Sequence, residues 1–394
     1  MRILYVGHRY HTNQVPVMKG WARLGVKVLF MSQYCGKIED NDSVENYVMK
    51  ESLISKVYYF RLKRKYKPSD VESRHNKYFI PSVIDIFFII KKFNPDLIII
   101  RGKTIGNAFV VAVCRLLGKK NIIIYDQSPL YYGKIVSGWK SSLLCSLFPK
   151  VSFTPILYVG KERNIIKLNK RVSCHFVPLI CEALLFSHKY SDDGIIRILD
   201  VGKFRDYKNH FFLIDALSSI QDKKKYKVTI MGQLQNSDEI EYYNRLCQYV
   251  KNKNLEDVVL ITGDVSFCEM DNIYAKHDVL VLPSKHESAG MVILEAMAHG
   301  LCVLSSENCG LSSYVDSNNC GFVFGISDPI QLSKQLESLA HSPEKIIEFG
   351  DKARKIVSVK YSFRQYLHAL NDLTESSYKY NLLSRINNKE EFTV

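Results

Sequence analysis

Two stretches, Leu97-Ile-Ile-Ile100 and Ile122-Ile-Ile-Tyr125, run through four residues with no polar alternation. A strand of that kind has no face fit for water and belongs in a parallel sheet covered by helices on both sides. The neighbouring pattern agrees. Ile3–Val6 reads as a strand, Val15–Leu24 as a helix closed by Gly25, and Val26–Met31 as a second strand. Residues 35–80 are polar and irregular, with one strand expected at Val57–Phe60. Ile84–Phe93 is helical, Asn94-Pro95 breaks it, and Ile105–Leu117 is a helix ending at Gly118.

The pattern then restarts. Strands are expected at Ile195–Val201, Val228–Met231, Val258–Thr262, Val279–Leu282 and Cys302–Ser305. Helices are expected at Phe211–Ile220, Glu239–Lys251, Leu294–His299, Pro329–Ala340 and Glu344–Val359. This predicts two tandem Rossmann-like, doubly wound α/β domains facing a cleft, over 1–186 and 195–360, with the polar stretch Ser187–Gly194 as linker. At 394 residues, 46% hydrophobic and 24% charged, the chain can build two cores; disorder, collagen and coiled coil are excluded. Its ten cysteines form no CxxC pair and no zinc-finger spacing with histidine. They read as buried thiols of a reducing compartment.

Charge is unevenly divided. Residues 1–190 hold 31 Lys and Arg against 12 Asp and Glu, a net +19; the remainder holds 23 against 28, a net −5. The densest run is Arg61-Leu-Lys63-Arg64-Lys65-Tyr-Lys67. A basic front half suits an anionic partner, and an anionic membrane surface is the one expected. No helix-turn-helix, zinc or RNP signature supports nucleic acid. The N-terminal run is broken by His8 and Arg9, and no apolar run approaches ~20 residues, so neither a signal peptide nor a spanning helix is expected. The expected location is cytoplasmic, peripheral on the inner face of the plasma membrane.

The densest chemistry lies between Leu282 and Gly300. A strand ends at Pro283, a loop carries Glu287, and Gly290 stands where a helix begins. The helix N-terminus from Ser288 through Ala289 and Gly290 to Met291 offers free N–H groups and a positive dipole end to a phosphate. Glu295 can accept hydrogen bonds from a ribose diol, and Glu287 from sugar hydroxyls. Such a layout describes a nucleotide-sugar site.

The phrase from Pro283 to Val303 resembles the E-x7-E signature of retaining GT-B glycosyltransferases of glycosyltransferase family 4, with Glu287 and Glu295 as the two acids. A second segment, Asp200-Val-Gly202-Lys203-Phe-Arg205-Asp-Tyr-Lys208-Asn-His, resembles the family's VGR-x4-KG, whose basic side chains hold the donor diphosphate. Lys208 matches the lysine. Lys203 stands where Arg is usual and lacks its bidentate fork, which Arg205 could replace. The resemblance further implies that Gly232 lies near the nucleotide and that backbone at Val265 contacts the base. It also implies that a helix over about 361–380 completes the first domain. It is sharp over 195–325 and fold-level before that.

Taken together, the resemblance implies transfer of a hexose-type sugar from a nucleoside diphosphate sugar to a glycan acceptor, with retention and without a cofactor or metal. Lipid-linked surface polysaccharide, such as lipopolysaccharide or capsule, is the acceptor class expected. Lys208, Glu287 and Asp126 are the catalytic candidates. Asp126 stands in Asp126-Gln-Ser, where the family often has His. Gly7, His8 and His11, at the end of the first strand, are acceptor-side candidates; this loop departs from the family's Gly-rich one. His299 is expected to face solvent or cap its helix. Two alternatives stay open: a UDP-sugar epimerase or sugar phosphorylase on the same scaffold, which would want a different acid/base set, and a catalytically silent partner subunit.

Overall fold

The computed structural model describes residues 1–10, 12–34, 44–65, 79–127, 139–159, 173–182, 193–266 and 269–386. The chain forms two compact units. The first comprises Met1–Pro155, Ile166–Leu179 and Phe363–Val394; the second comprises Ile156–Ile165 and Ile180–Ser362. The second unit thus begins before the expected linker: the Cys181 amide donates to the Tyr361 carbonyl at 3.2 Å. Most of Ser187–Gly194 lies outside the described residues.

In the first unit the strands are β1 (Arg2–Gly7), β2 (Lys27–Ser32), β3 (Glu45–Val48), β4 (Leu97–Arg101), β5 (Ile122–Tyr125), β6 (Val151–Thr154) and β7 (Ser173–Phe176). They form one sheet in the order β3-β2-β1-β4-β5-β6-β7, with every pairing parallel. The helices are α1 (Val15–Arg23), α2 (Leu53–Lys65), α3 (Val83–Phe93), α4 (Ile105–Leu116) and α5 (Trp139–Ser146). The aliphatic strands β4 and β5 are buried along Leu97–Ile100 and Ile122–Tyr125, as their lack of alternation requires.

One expectation fails here. Val57–Phe60 is not a strand but lies inside the helix α2. A four-residue aromatic and β-branched run is a weak strand signal, and local capping overrides it. The Ser52 hydroxyl accepts from the Ser55 amide at 3.2 Å, and the Ser52 carbonyl starts the helical ladder at Lys56. The edge strand β3 also lies in the segment read as irregular; it is only four residues long, Glu-Asn-Tyr-Val, and none of them is buried, so the hydrophobic signal is missing.

In the second unit β8 (Ile196–Val201), β9 (Tyr226–Gly232), β10 (Val259–Gly263), β11 (Val279–Leu282), β12 (Cys302–Ser306) and β13 (Gly321–Phe324) form a parallel sheet in the order β10-β9-β8-β11-β12-β13. The helices are α6 (His210–Ser218), α7 (Ser237–Asn252), α8 (Met270–Ala275), α9 (Met291–His299), α10 (Ser312–Asn318), α11 (Pro329–His341) and α12 (Glu344–Lys360). Helix α13 (Phe363–Tyr378) belongs to the first unit, where Phe363 packs edge-on against Trp21 and the Tyr366 hydroxyl meets Tyr5.

Strand order reverses direction twice, between β1 and β4 and between β8 and β11. In an open parallel sheet such a switch point leaves a crevice beyond the carboxyl ends of the two strands. The loops that leave β8 and β11 are those that carry Lys208 and Glu287.

Candidate functional site

Strand β8 ends at Val201, and the chain turns through Gly202 into a single 3-10 turn, Asp206–Lys208. Gly202 is closely packed by the lysine it precedes. An added Cβ would sit 3.0 to 3.2 Å from the Lys208 side-chain carbons, so the glycine lets that stem lie against the strand end. Asn209 then takes a left-handed backbone (φ 60°), and its amide group donates to the Pro283 carbonyl at 3.2 Å. The Lys285 amide donates to the Tyr207 carbonyl at 2.7 Å. These bonds join the loop after β8 to the loop after β11.

The two loops bring Lys208 and Glu287 together. Lys208 Nζ lies 2.6 Å from Glu287 Oε2, with the side chains 7% and 21% exposed. The Ser284 hydroxyl donates to the same oxygen at 3.2 Å, and the Ser306 hydroxyl donates to the Ser284 carbonyl at 2.6 Å. Burial works against the lysine charge. The charge and hydrogen bond of Glu287, with smaller help from Tyr207 and Cys309, outweigh it and hold the Lys208 pKa above its ordinary 10.5. Lys208 is therefore a fixed cation at the switch point.

Helix α9 starts beside this pair. Gly290 is its N-cap with φ 80°, a conformation that side chains rarely adopt. No side chain caps the helix there. The loop before it is pinned by the Glu287 amide to the Asn308 carbonyl, the Gly310 amide to the Glu287 carbonyl and the Leu311 amide to the Ala289 carbonyl. The segment from Ser288 to Met291 thus presents a rigid helix N-terminus. Ala289 is buried, while Ser288 and Met291 are half exposed.

Glu295 lies one turn further along α9. Tyr274 donates its hydroxyl to Glu295 Oε2 at 2.8 Å. Burial raises the Glu295 pKa above 4.5; the Tyr274 hydrogen bond opposes this and the Asp271 charge adds to it. His299 does not face solvent as one expectation had it. It is buried, with Nδ1 2.8 Å from the Glu295 carbonyl oxygen and Nε2 3.1 Å from Asp271 Oδ1.

The remaining donor-side candidates are placed as follows. Lys203 is exposed, and its carbonyl accepts from His210 Nε2 at 3.3 Å. Arg205 is taken up by an ion pair: its Nε sits 3.0 Å from Glu239 Oε1, a fully buried carboxylate. Gly232 ends β9, and an added Cβ would meet the Gly202 carbonyl oxygen at 2.1 Å. The Asp264 amide donates to the Gly232 carbonyl, and Asp264 Oδ1 accepts from Leu234, which fixes the turn that leads into half-buried Val265.

In the first unit, Gly7 closes β1. His8 Nδ1 lies 2.9 Å from Gln33 Oε1, and Asp126 is buried just past β5 with its amide on the Phe153 carbonyl. His11 lies outside the described residues. Among the described residues no three His, Cys, Asp or Glu side chains gather as a metal cluster, and no helix is long and apolar enough to cross a membrane.

Sequence reasoning missed Ser284, Tyr274 and the Asp200–His210 pair. His210 Nδ1 lies 2.7 Å from Asp200 Oδ2 with both side chains fully buried. The pair is ten residues apart and was inside the quoted motif; only its burial distinguishes it. Tyr274 gave no signal at all, since its partner is twenty-one positions away.

One comparison with known proteins, the family model, falls on this same region. Residues 187–356 match the family "Glycosyl transferases group 1". The N-acetyl-alpha-D-glucosaminyl L-malate synthase of Bacillus anthracis is 28% identical over 163 residues, 41% of this chain and 40% of that enzyme. The chain thus matches less than half the length of such curated relatives. Among solved structures, HepE of Anabaena in complex with UDP is 14% identical with a TM-score of 0.71, over 95% of this chain and all of that one. WaaG, a glycosyltransferase involved in lipopolysaccharide biosynthesis, is 13% identical with a TM-score of 0.63, over 94% and 99%.

The fold is that of the GT-B glycosyltransferases. In this GT-B chain the motifs that carry Lys208 and Glu287 lie in the second unit, which contains all of the family match, and the first unit is similar to known structures in fold alone.

Proposed function

We propose that this chain is a retaining glycosyltransferase that moves a hexose-type sugar from a nucleoside diphosphate sugar to a glycan acceptor. The acceptor is lipid-linked and presented at an anionic membrane surface. The observation that carries the reading is the Lys208–Glu287 pair held 2.6 Å apart beside the uncapped N-terminus of α9. A pyrophosphate leaving group develops negative charge as the glycosidic C–O bond breaks. A fixed cation and a helix N-terminus stabilise that charge without reorganisation. Lys203 adds a second positive charge at the mouth of the same loop. Glu287 keeps Lys208 protonated and aimed through Oε2. Its Oε1 carries no hydrogen bond from the described residues and is open to a sugar hydroxyl. Glu295 takes the ribose diol. The UDP complex of HepE and the lipopolysaccharide role of WaaG support the donor and acceptor classes.

A donor panel tests this. Thermal unfolding is followed with UDP-, GDP-, ADP- and TDP-sugars, followed by transfer to a lipid-linked glycan. One nucleotide series is expected to raise the transition, because a ligand that binds only the folded state stabilises it. With Lys203, Lys208 and the α9 dipole supplying the positive charge, turnover is expected to persist in excess EDTA. Loss in EDTA that Mg²⁺ or Mn²⁺ restores, or no stabilisation by any donor, contradicts the reading.

Glu295 gives a pH signature. Its raised pKa places protonation above pH 4.5, and only the carboxylate accepts from both ribose hydroxyls. Donor affinity is expected to weaken on acidification, starting at a higher pH than an ordinary glutamate would give. Glu295→Gln is expected to lose that acid limb and roughly tenfold in affinity at neutral pH. An acid limb that survives in Glu295→Gln removes the ribose role.

A further inference from the structure

The outward face of α2 is its apolar face. Leu53, Val57, Phe60 and Arg64 recur at helical spacing on the side opposite buried Ser55 and Leu62, with Ile54 beside them. Leu53 is 79% exposed and Ile54 69%. Cations flank the stripe on both sides: Lys56 and Lys63 on one, Arg61 and Lys65 on the other, all exposed, and the helix holds no Asp or Glu. The rings stay close to these charges, with Lys63 Nζ 4.6 Å from the Tyr59 ring centre and Arg64 4.4 Å from that of Phe60.

Helix α3 extends the feature. Pro81 and Glu51 form an antiparallel bridge, the Ser52 amide donates to Ile80 and the Ser82 amide to Lys50, so α2 and α3 start side by side. Helix α3 exposes Val83, Ile84 (72%) and Phe88 (62%), followed by exposed Lys91 and Lys92. Its one acid, Asp85, is occupied by the Tyr47 hydroxyl and by Lys50. Elsewhere among the described residues, exposed large hydrophobics come one or two to an element.

We infer that the outer faces of α2 and α3 are a membrane-docking surface for an anionic lipid bilayer. This names the surface for the membrane part of the function proposed above. An amphipathic surface with an apolar stripe and a cationic border lies in the headgroup region, its side chains below and its cations at the phosphates. Charge decides against the other occupants. A second copy of this chain would set five cations of one α2 against five of the other, which is repulsive. Nucleic acid would use the cations but leaves Leu53, Ile54, Val57 and Ile84 without partners, since aliphatic side chains offer bases no stacking face. Tyr66 and Lys67, the end of the basic run, lie outside the described residues and are not needed.

Flotation with vesicles of phosphatidylcholine alone, and of phosphatidylcholine with equal phosphatidylglycerol, tests this on the full chain. Binding is expected only to the anionic vesicles, weakening but not vanishing in high salt. The triple variant Leu53→Ser, Val57→Ser, Phe60→Ser alters exposed positions only and is expected to reduce partitioning about tenfold or more. Lys63→Glu, Arg64→Glu, Lys65→Glu is expected to abolish the salt-sensitive part. Both variants are expected to keep the wild-type thermal shift with the nucleotide donor, so failure at the membrane is distinguishable from failure of the transferase reading. Equal binding to neutral vesicles, no binding to anionic ones, or a serine variant that floats like wild type overturns the inference. A serine variant that turns a vesicle-indifferent dimer into a monomer overturns it in favour of self-association.

Discussion

Lys208→Ala is expected to lower kcat/KM by roughly 10²-fold or more, the usual consequence of removing one preorganised charge from a developing anion. Most of the loss should appear in kcat, because the charge on the leaving diphosphate grows in the transition state. Folding should survive. Truncation leaves the Glu287 carboxylate partly exposed and still bonded to Ser284, so the cost should fall below that of a fully buried pair, at about 1–3 kcal/mol.

A pH series separates the pair from the chemistry. The Lys208 pKa is raised in the folded state, so the pair stabilises fully below the unfolded value of ~10.4 and its contribution fades as pH rises through the native value. In Glu287→Gln that alkaline loss should shrink, because the raising influence is gone. Wild-type turnover in a folded Lys208→Ala protein refutes the assignment.

Trp21→Ala is expected to be a strongly destabilising change in the first unit, at about 3–5 kcal/mol. Trp21 is fully buried on α1. Its indole N–H donates to the Tyr5 hydroxyl at 2.9 Å, and that hydroxyl meets Tyr366 at 2.9 Å. The ring also packs edge-on against Phe363 at 5.2 Å. The mutation therefore opens a large cavity and cuts into the polar relay that ties β1 to α13. Hydrogen exchange reads this by region. Amides of β1, α1 and α13 should lose protection, while those of β8 to β13 serve as an internal reference within the same molecule. Trp21→Phe should recover most of the packing and lose only the N–H bond. Unchanged protection in α13 after Trp21→Ala would show that the helix is held by other contacts.

The sequence by itself determined the two parallel sheets, because unalternating runs such as Leu97–Ile100 and Val279–Leu282 admit few other environments. It also marked the candidate site, because the Lys208 and Glu287 motifs are local strings of polar and small residues at strand ends. It misread α2 for the same reason: a local aromatic run looked like a strand, and only the capped helix, with its apolar face turned outward, showed otherwise. What the tertiary structure alone decided is which distant residues share a charge. Lys208 and Glu287 are seventy-nine positions apart, and the adjacency of β8 and β11 at the switch point brings their loops together. Tyr274 reaches Glu295, and Arg205 is taken up by Glu239, through the same folding of separated segments. Strand order carries no local residue pattern, so burial, ion pairing and the pKa values that follow from them become readable only once the sheet is assembled.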